Sequence, residues 1–273
     1  MATRKIIALI TDFAISDGYI GVMKGVILSI NPSVEIVDLA HEINKHDILS
    51  GAFILSSALK YFPKGTIFVG VIDPGVGTER KGIAIKTKNY YFVGPNNGLF
   101  SLATMIDPIE EIVELKNSEY FLPSISYTFH GRDIFAPVAA WISKGVKLRK
   151  LGPKLPLSEY VTLDIGEPRI EKDSYTCTVI GIDGFGNIIT NLSGEIFERR
   201  EGYGRIFLVY RQGREERFLA TYVRTYGEAE EGENIILIGS HGNIEIAVNK
   251  GSAAERLGIK VRDKIIIKRL STM

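Results

Sequence analysis

Three short apolar runs rich in β-branched residues, IIALIT (6–11), VEIV (34–37) and TIFVGVI (66–72), are separated by stretches long enough for helices. Runs of this kind suit strands buried on both faces, where no polar residue is needed at alternate positions. The intervening segments GYIGVMKGVILSI (18–30) and DILSGAFILSSALKYF (47–62) read as helices, the second stopping before Pro63. Strand–helix–strand alternation predicts a mostly parallel sheet flanked by helices. Each of the three runs is followed at once by an aspartate: Asp12, Asp38 and Asp73. In an open parallel sheet, ligands bind beyond the carboxyl ends of the strands, so acids aligned there differ from acids scattered over a surface.

Further on, GIAIKT (82–87) and YYFVG (90–94) read as an antiparallel pair, and RDIFAPVAAWISKG (132–145) as a helix ending at a glycine. Pro137 is tolerable in its first turn. Between about 146 and 170 three prolines appear and periodicity is lost. The expected division is therefore an N-terminal α/β domain, residues 1–160, and a C-terminal domain, residues 170–273. The latter is a succession of short strands: YTCTVIGID, NIITNL, RIFLVYR, RFLATYV, NIILIGS, NIEIAVN and KIIIKRL. Glycine turns between such strands predict a small all-β barrel or sandwich.

Composition narrows the function classes. With 33 basic against 32 acidic residues the net charge is +1, which offers no electrostatic basis for nucleic-acid binding. The single cysteine, Cys177, excludes an internal disulfide and a thiolate metal cluster. The opening MATRKIIALITDFA has too short an apolar stretch for a membrane span and lacks a small-residue cleavage site. A cytoplasmic protein with no membrane association is the expectation.

Asp12 and Asp73 are the acids read as functional; Asp38 is read as a turn or cap residue. In VIDPGVGTERK (71–81) a proline and two glycines follow Asp73, and Arg80 returns seven residues later. An arginine beside a carboxylate favours its charged form and can orient a small polar molecule. On spacing alone a purely structural ion pair accounts for Asp73 and Arg80 equally well. Neither a dinucleotide fingerprint nor a P-loop is present. The four histidines show no metal-ligand spacing, and none of the usual motifs calls for a metal. His41 and His46 are read as cap or surface residues, whereas His130, beside Gly131 in TFHGRDIF, stands where a loop can reach a pocket. In GIDGFGN, Asp183, Phe185 and Asn187 fall within five residues. An aromatic face can stack on a base and an amide can pair with a donor–acceptor edge, but an ordinary hairpin turn has the same composition. GSHGNIEIAVNKGSAA adds Ser240 and Asn249 near glycines.

Taken in order, TDF, DGYIGVMKGVI, VDLAH, FPKGT, VIDPGVGTER, VGPNNGL, TFHGRDIFAP, IDGFGNIITNL and EIAVNKGSAA resemble the adenosine-forming S-adenosylmethionine hydrolases. These are also called SAM hydroxide adenosyltransferases and are homologous to the SAM-dependent fluorinases and chlorinases. The resemblance spans about residues 6–270. It implies an N-terminal α/β domain, a C-terminal β-barrel, and a homotrimer with sites between subunits. It also implies S-adenosylmethionine as substrate rather than cofactor, adenosine as product, and no further cofactor. Asp73, Arg80 and His130 match the set that handles water. Asp12 matches the position that holds the ribose hydroxyls. Asp17, Asp183 and Ser240 match positions at the methionine end, and Phe185 and Tyr226 match aromatic positions around adenosine. Asn187 matches the adenine-pairing amide, and His46 stands where the halogenases carry tryptophan. At the positions of Asp73 and Gly131 the fluorinase has a tyrosine and a halide-contacting serine. Two unit charges about 4 Å apart repel by ~4 kcal/mol at an effective dielectric of 20, so a fixed carboxylate disfavours halide and tolerates water. The expected reaction is hydrolysis of S-adenosylmethionine to adenosine and methionine. A halogenase and a non-catalytic SAM- or adenosine-binding protein are the alternatives, and methyl transfer lacks an acceptor site.

Overall fold

The computed structural model describes residues 4–270, and the chain divides into two compact units, Met1–Leu163 and Asp164–Met273. The first contains β1 (Ile6–Thr11), α1 (Tyr19–Ile30), β2 (Glu35–Ala40), α2 (Ile48–Ala58), β3 (Ile67–Val71), β4 (Gly82–Thr87), β5 (Tyr91–Pro95), α3 (Ser101–Ile106), β6 (Ile109–Glu114) and α4 (Ala136–Ser143). Its six strands form one sheet in the order β2-β1-β3-β5-β4-β6. The pairs β1–β2, β1–β3 and β3–β5 are parallel, and β4 runs against both of its neighbours.

Both faces of this sheet are covered. Ile7, Leu9, Val69 and Val71 pack against Met23 and Ile27 of α1 and Val138–Ala140 of α4. Alternate residues of the same strands, Ala8, Ile10 and Phe68, pack on the other side with Leu55 of α2 and Ala103 of α3. Two buried faces explain why β1 and β3 are apolar at consecutive positions. The chain leaves β1 for β2 on one side and returns to β3 on the other, so strand order reverses between β1 and β3. Such a reversal opens a crevice at the carboxyl edge. The register pairs Thr11 with Val71, which sets Asp12 and Asp73 just beyond adjacent strand ends.

Three local features differ from the sequence reading. β2 continues through Ala40, so Asp38 lies inside a strand and does not end one. α3 and β6 were not foreseen: α3 spans six residues, too few to show a helical period, and IEEIVE is an edge strand with charged residues toward solvent. The helix expected from Arg132 begins instead with a wide π-type turn, Gly131–Phe135, before α4, and Pro137 sits in the first turn of α4.

The second unit contains β7 (Arg169–Ile170), β8 (Ser174–Ile182), β9 (Ile188–Ser193), α5 (Gly194–Glu198), β10 (Ile206–Arg211), β11 (Arg217–Tyr222), β12 (Asn234–Ile238), β13 (Asn243–Val248), α6 (Ala253–Leu257) and β14 (Lys264–Arg269). Seven strands run β14-β10-β11-β12-β13-β9-β8, and β14 pairs back with β8 to close a barrel. β7 adds to the first half of β8. Alternate residues Tyr175, Cys177 and Val179 of β8, Phe207 and Val209 of β10, and Ile265 and Ile267 of β14 fill the interior. This period of two is the strand signature visible in the sequence. No helix among the described residues is long and apolar enough to cross a membrane.

Candidate active site

The segment after β3 is a chain of tight turns. The Asp73 carbonyl accepts from Val76 N–H at 3.3 Å, the Gly75 carbonyl from Thr78 N–H at 3.2 Å, and Thr78 Oγ1 from Arg80 N–H at 3.3 Å. Gly77 has φ +74°, and a Cβ there would lie 2.3 Å from the Tyr127 carbonyl oxygen, so only glycine lets the following loop close down. These turns bring Arg80 back over Asp73. Arg80 Nε donates to Asp73 Oδ1 at 3.0 Å and Nη2 donates to Oδ2, a bidentate pair with side chains 9% and 5% exposed. The guanidinium also lies over the Phe135 ring, 5.4 Å from its centroid. Asn97 Nδ2 donates to the Ile72 carbonyl at 2.8 Å and steadies the approach to Asp73.

His130, at the start of the wide turn before α4, joins the pair through Nδ1, 3.2 Å from Arg80 Nη2. Arginine has donors only, so Nδ1 accepts and the neutral imidazole carries its proton on Nε2. Burial lowers the pKa of His130 below its ordinary 6.5, and the Arg80 charge lowers it further, against the opposing pull of Asp73 and Asp133. The His130 loop is held by Asp133, whose fully buried carboxylate accepts from Ser126 N–H at 2.7 Å and pairs with Arg132.

Asp12 follows β1 with its side chain 9% exposed, and its Oδ2 accepts the His46 backbone N–H at 3.0 Å. Asp17 lies close by in sequence on an exposed single turn, Ile15–Asp17, bonded to Ser16 Oγ at 3.4 Å. Phe13, Tyr19 and Phe129 meet edge to face with centroids 5.1–5.7 Å apart.

The barrel unit carries a second group. Asp183, Phe185, Asn187 and Tyr226 line a cavity of about 630 Å³ together with Asn249, Lys250 and Ser252. Asp183 accepts from Phe185 N–H, Asn187 N–H and Asn187 Nδ2, each at 2.9 Å, which occupies three of its roughly four acceptor positions. Tyr226 OH donates to the buried Glu245 carboxylate; burial first, then that carboxylate, raises its pKa well above the ordinary range. Phe185 is 81% exposed. Ser240 stands exposed on the β12–β13 turn and does not line this cavity.

Of the residues singled out from the sequence, Asp73, Arg80 and His130 meet at the sheet edge, and four of the five assigned to the barrel unit line one cavity. The sequence reading missed the loop between β2 and α2. There His41, with a side chain 6% exposed, accepts from or donates to Thr11 Oγ1 at 2.8 Å and bonds Asp38 Oδ1 at 3.0 Å. The Asp and His three residues apart in VDLAH were the available signal.

The α/β unit thus sets a carboxylate–guanidinium–imidazole group at its switch point, and the closed barrel bears a cavity lined by aromatic and amide side chains. Comparison with known proteins is more specific. The SAM hydroxide adenosyltransferase N-terminal domain matches residues 7–152, and the C-terminal domain of the same family matches residues 177–266. The chain belongs to the SAM hydroxide adenosyltransferase family. It is 35% identical over 266 residues to the (R)-S-adenosyl-L-methionine hydrolase of Salinispora tropica, covering 97% of this chain and 98% of that protein. A fluorinase of Nocardia brasiliensis is 27% identical over 97% of both chains. A solved structure of an uncharacterized conserved protein from Thermotoga maritima superposes with a TM-score of 0.90 at 37% identity, covering 96% of this chain and all of that one.

Proposed function

We infer that this protein hydrolyses S-adenosyl-L-methionine to adenosine and L-methionine. The observation that carries the reading is the contiguous Asp73–Arg80–His130 set at the strand-order reversal, in a chain related over its full length to an enzyme named for that reaction. The water oxygen attacks C5′ in line, and the C5′–S bond breaks with its electron pair going to sulfur, so the sulfonium leaves as neutral methionine. One water proton is lost. Because Arg80 occupies His130 Nδ1, the Nε2–H is left as a donor that orients the water oxygen, and Asp73 receives the proton before it passes to solvent. Arg80 fixes both partners and places positive charge beside the developing hydroxide.

Asp12 is assigned to the ribose hydroxyls, Asn187 with Phe185 and Tyr226 to adenine, and Asp17, Asp183 and Ser240 to the methionine end. These residues stand on two separate units; the family resemblance implies that a homotrimer unites them, each site shared between neighbouring subunits, and the protein is assigned to the cytoplasm. Halogenation is disfavoured because Gly131 has no side chain to supply a halide-binding hydroxyl and the Asp73 carboxylate repels a halide anion.

The test is incubation of purified protein with S-adenosylmethionine, with and without halide, followed by separation of nucleosides. Adenosine alone is expected under both conditions. A 5′-halo-adenosine product would replace hydrolysis with halogenation, and unchanged substrate would leave only binding. Asp73→Asn is expected to lower kcat about 10²–10⁴-fold with a smaller change in KM.

A further inference from the structure

Asp12 is held by a loop with unusual backbone. Between β2 and α2, two non-glycine residues, Glu42 (φ 59°) and His46 (φ 67°), adopt left-handed conformations. Such residues persist only where their surroundings hold them in place, and they cluster at functional sites. Here each of them delivers a backbone N–H to the segment after β1. Glu42 N–H donates to the Phe13 carbonyl at 3.1 Å, and His46 N–H donates to Asp12 Oδ2 at 3.0 Å. Asp47 then caps α2 through Ser50 N–H at 3.1 Å, which closes the far end of the loop.

The near end is fixed by a polar chain that runs from the half-exposed Lys24–Asp38 pair inward to buried Thr11, with one consistent direction. Lys24 Nζ donates to Asp38 Oδ2 at 2.6 Å, leaving Oδ1 to accept from His41 Nε2 at 3.0 Å. A ring protonated at Nε2 has an acceptor at Nδ1, where Thr11 Oγ1 donates at 2.8 Å. Thr11 Oγ1 in turn accepts from Phe13 N–H at 3.2 Å. Thr11 is fully buried, so its hydroxyl has no water to replace the imidazole. Asp12, the residue between these two anchored neighbours, is clamped from the strand side by this chain and from the loop side by His46.

We propose that His41 is a positioning residue for Asp12: through Thr11 and the strained 41–47 loop it sets the carboxylate that receives the ribose diol. The inference rests on the assignment of Asp12 to the ribose hydroxyls. The diol is therefore the readout, as the ratio of affinities for adenosine and 2′,3′-dideoxyadenosine measured by calorimetry on the full-length protein. Asp12→Asn and His41→Leu are both expected to cut that ratio at least about fivefold. His41→Asn, whose amide oxygen can stand in for Nδ1 toward Thr11, is expected to stay within about twofold of the parent. A role confined to stability would lower the melting temperature and leave the ratio alone. If Asp12→Asn lowers the ratio and folded His41→Leu does not, the inference fails and the assignment of Asp12 survives. If Asp12→Asn leaves the ratio unchanged, both fall. Should His41→Leu not fold, His41→Phe takes its place, filling the space of the ring with no acceptor for Thr11. A ratio for His41→Phe equal to that of His41→Asn overturns the proposal.

Discussion

The two polar groups of this molecule are built differently. At the sheet edge every principal charge is already committed: Asp73 to Arg80, Arg80 to His130, and one oxygen of Asp12 to a backbone amide. In the barrel cavity Asp183 and Tyr226 are committed as well, but the Phe185 ring is left in solvent. A group that handles water benefits from fixed geometry and dipoles that need no reorganisation. A group that recognises a base benefits from an apolar face whose burial waits for the ligand. On the proposed assignment, the same polypeptide separates preorganised chemistry from recognition by burial.

The largest expected effect comes from disrupting the committed side. Arg80→Leu strands the nearly buried Asp73 carboxylate, and losing one partner of such a pair costs about 3–5 kcal/mol. Denaturant unfolding should register that loss, and adenosine formation should fall at least about a hundredfold. If both stay near the parent, the pair is neither structural nor catalytic.

On the recognition side, Phe185→Ala removes a ring that is 81% exposed and should leave the melting temperature almost unchanged, since surface substitutions usually stay within about 0.5 kcal/mol. Loss of base stacking, worth about 1–3 kcal/mol, should instead raise KM roughly five- to a hundredfold with kcat little altered. A large drop in kcat would erase the contrast between the two groups.

The smallest effect is a pH dependence. Burial, aided by Arg80, places the folded-state pKa of His130 below 6.5. Between those two values the unfolded chain binds a proton that the folded chain does not, so stability falls as pH drops below 6.5. The loss levels off once pH is below the depressed folded value. Proton NMR should show the His130 imidazole titrating below the ordinary range, a signal absent in His130→Ala and shifted back toward 6.5 in Arg80→Gln. An unshifted value in Arg80→Gln would leave burial as the whole cause.

How far the sequence was readable follows from these contrasts. Strands buried on both faces announce themselves by uninterrupted β-branched runs, so β1 and β3 and the acids beyond them were legible. The barrel strands showed their period of two. Short elements such as α3 carry too few residues for any period. Asp73 and Arg80 could be suspected from the turn between them, yet spacing could not bring in His130, fifty positions further on, without the family resemblance. His41 was read as a cap or surface residue because its partners come from two different strands. Strand adjacency is a property of topology that local pattern does not contain. For the same reason Ser240, near glycines in sequence, stands apart from the cavity once the β12–β13 turn is folded.

The barrel's closing seam has a consequence for biosynthesis. β14 bridges β10 and β8, pairing Lys264 with Thr178, residues 86 positions apart. During translation the α/β sheet has all six of its strands before any barrel strand exists, so it can fold while the ribosome is still at work. The barrel must hold two open strand edges until its last strand emerges. Open edges and distant pairings slow folding and invite association with other chains. A nascent chain arrested just before Lys264 would carry a folded sheet domain and an unsealed, sticky barrel, a state for which a cell would need chaperone cover.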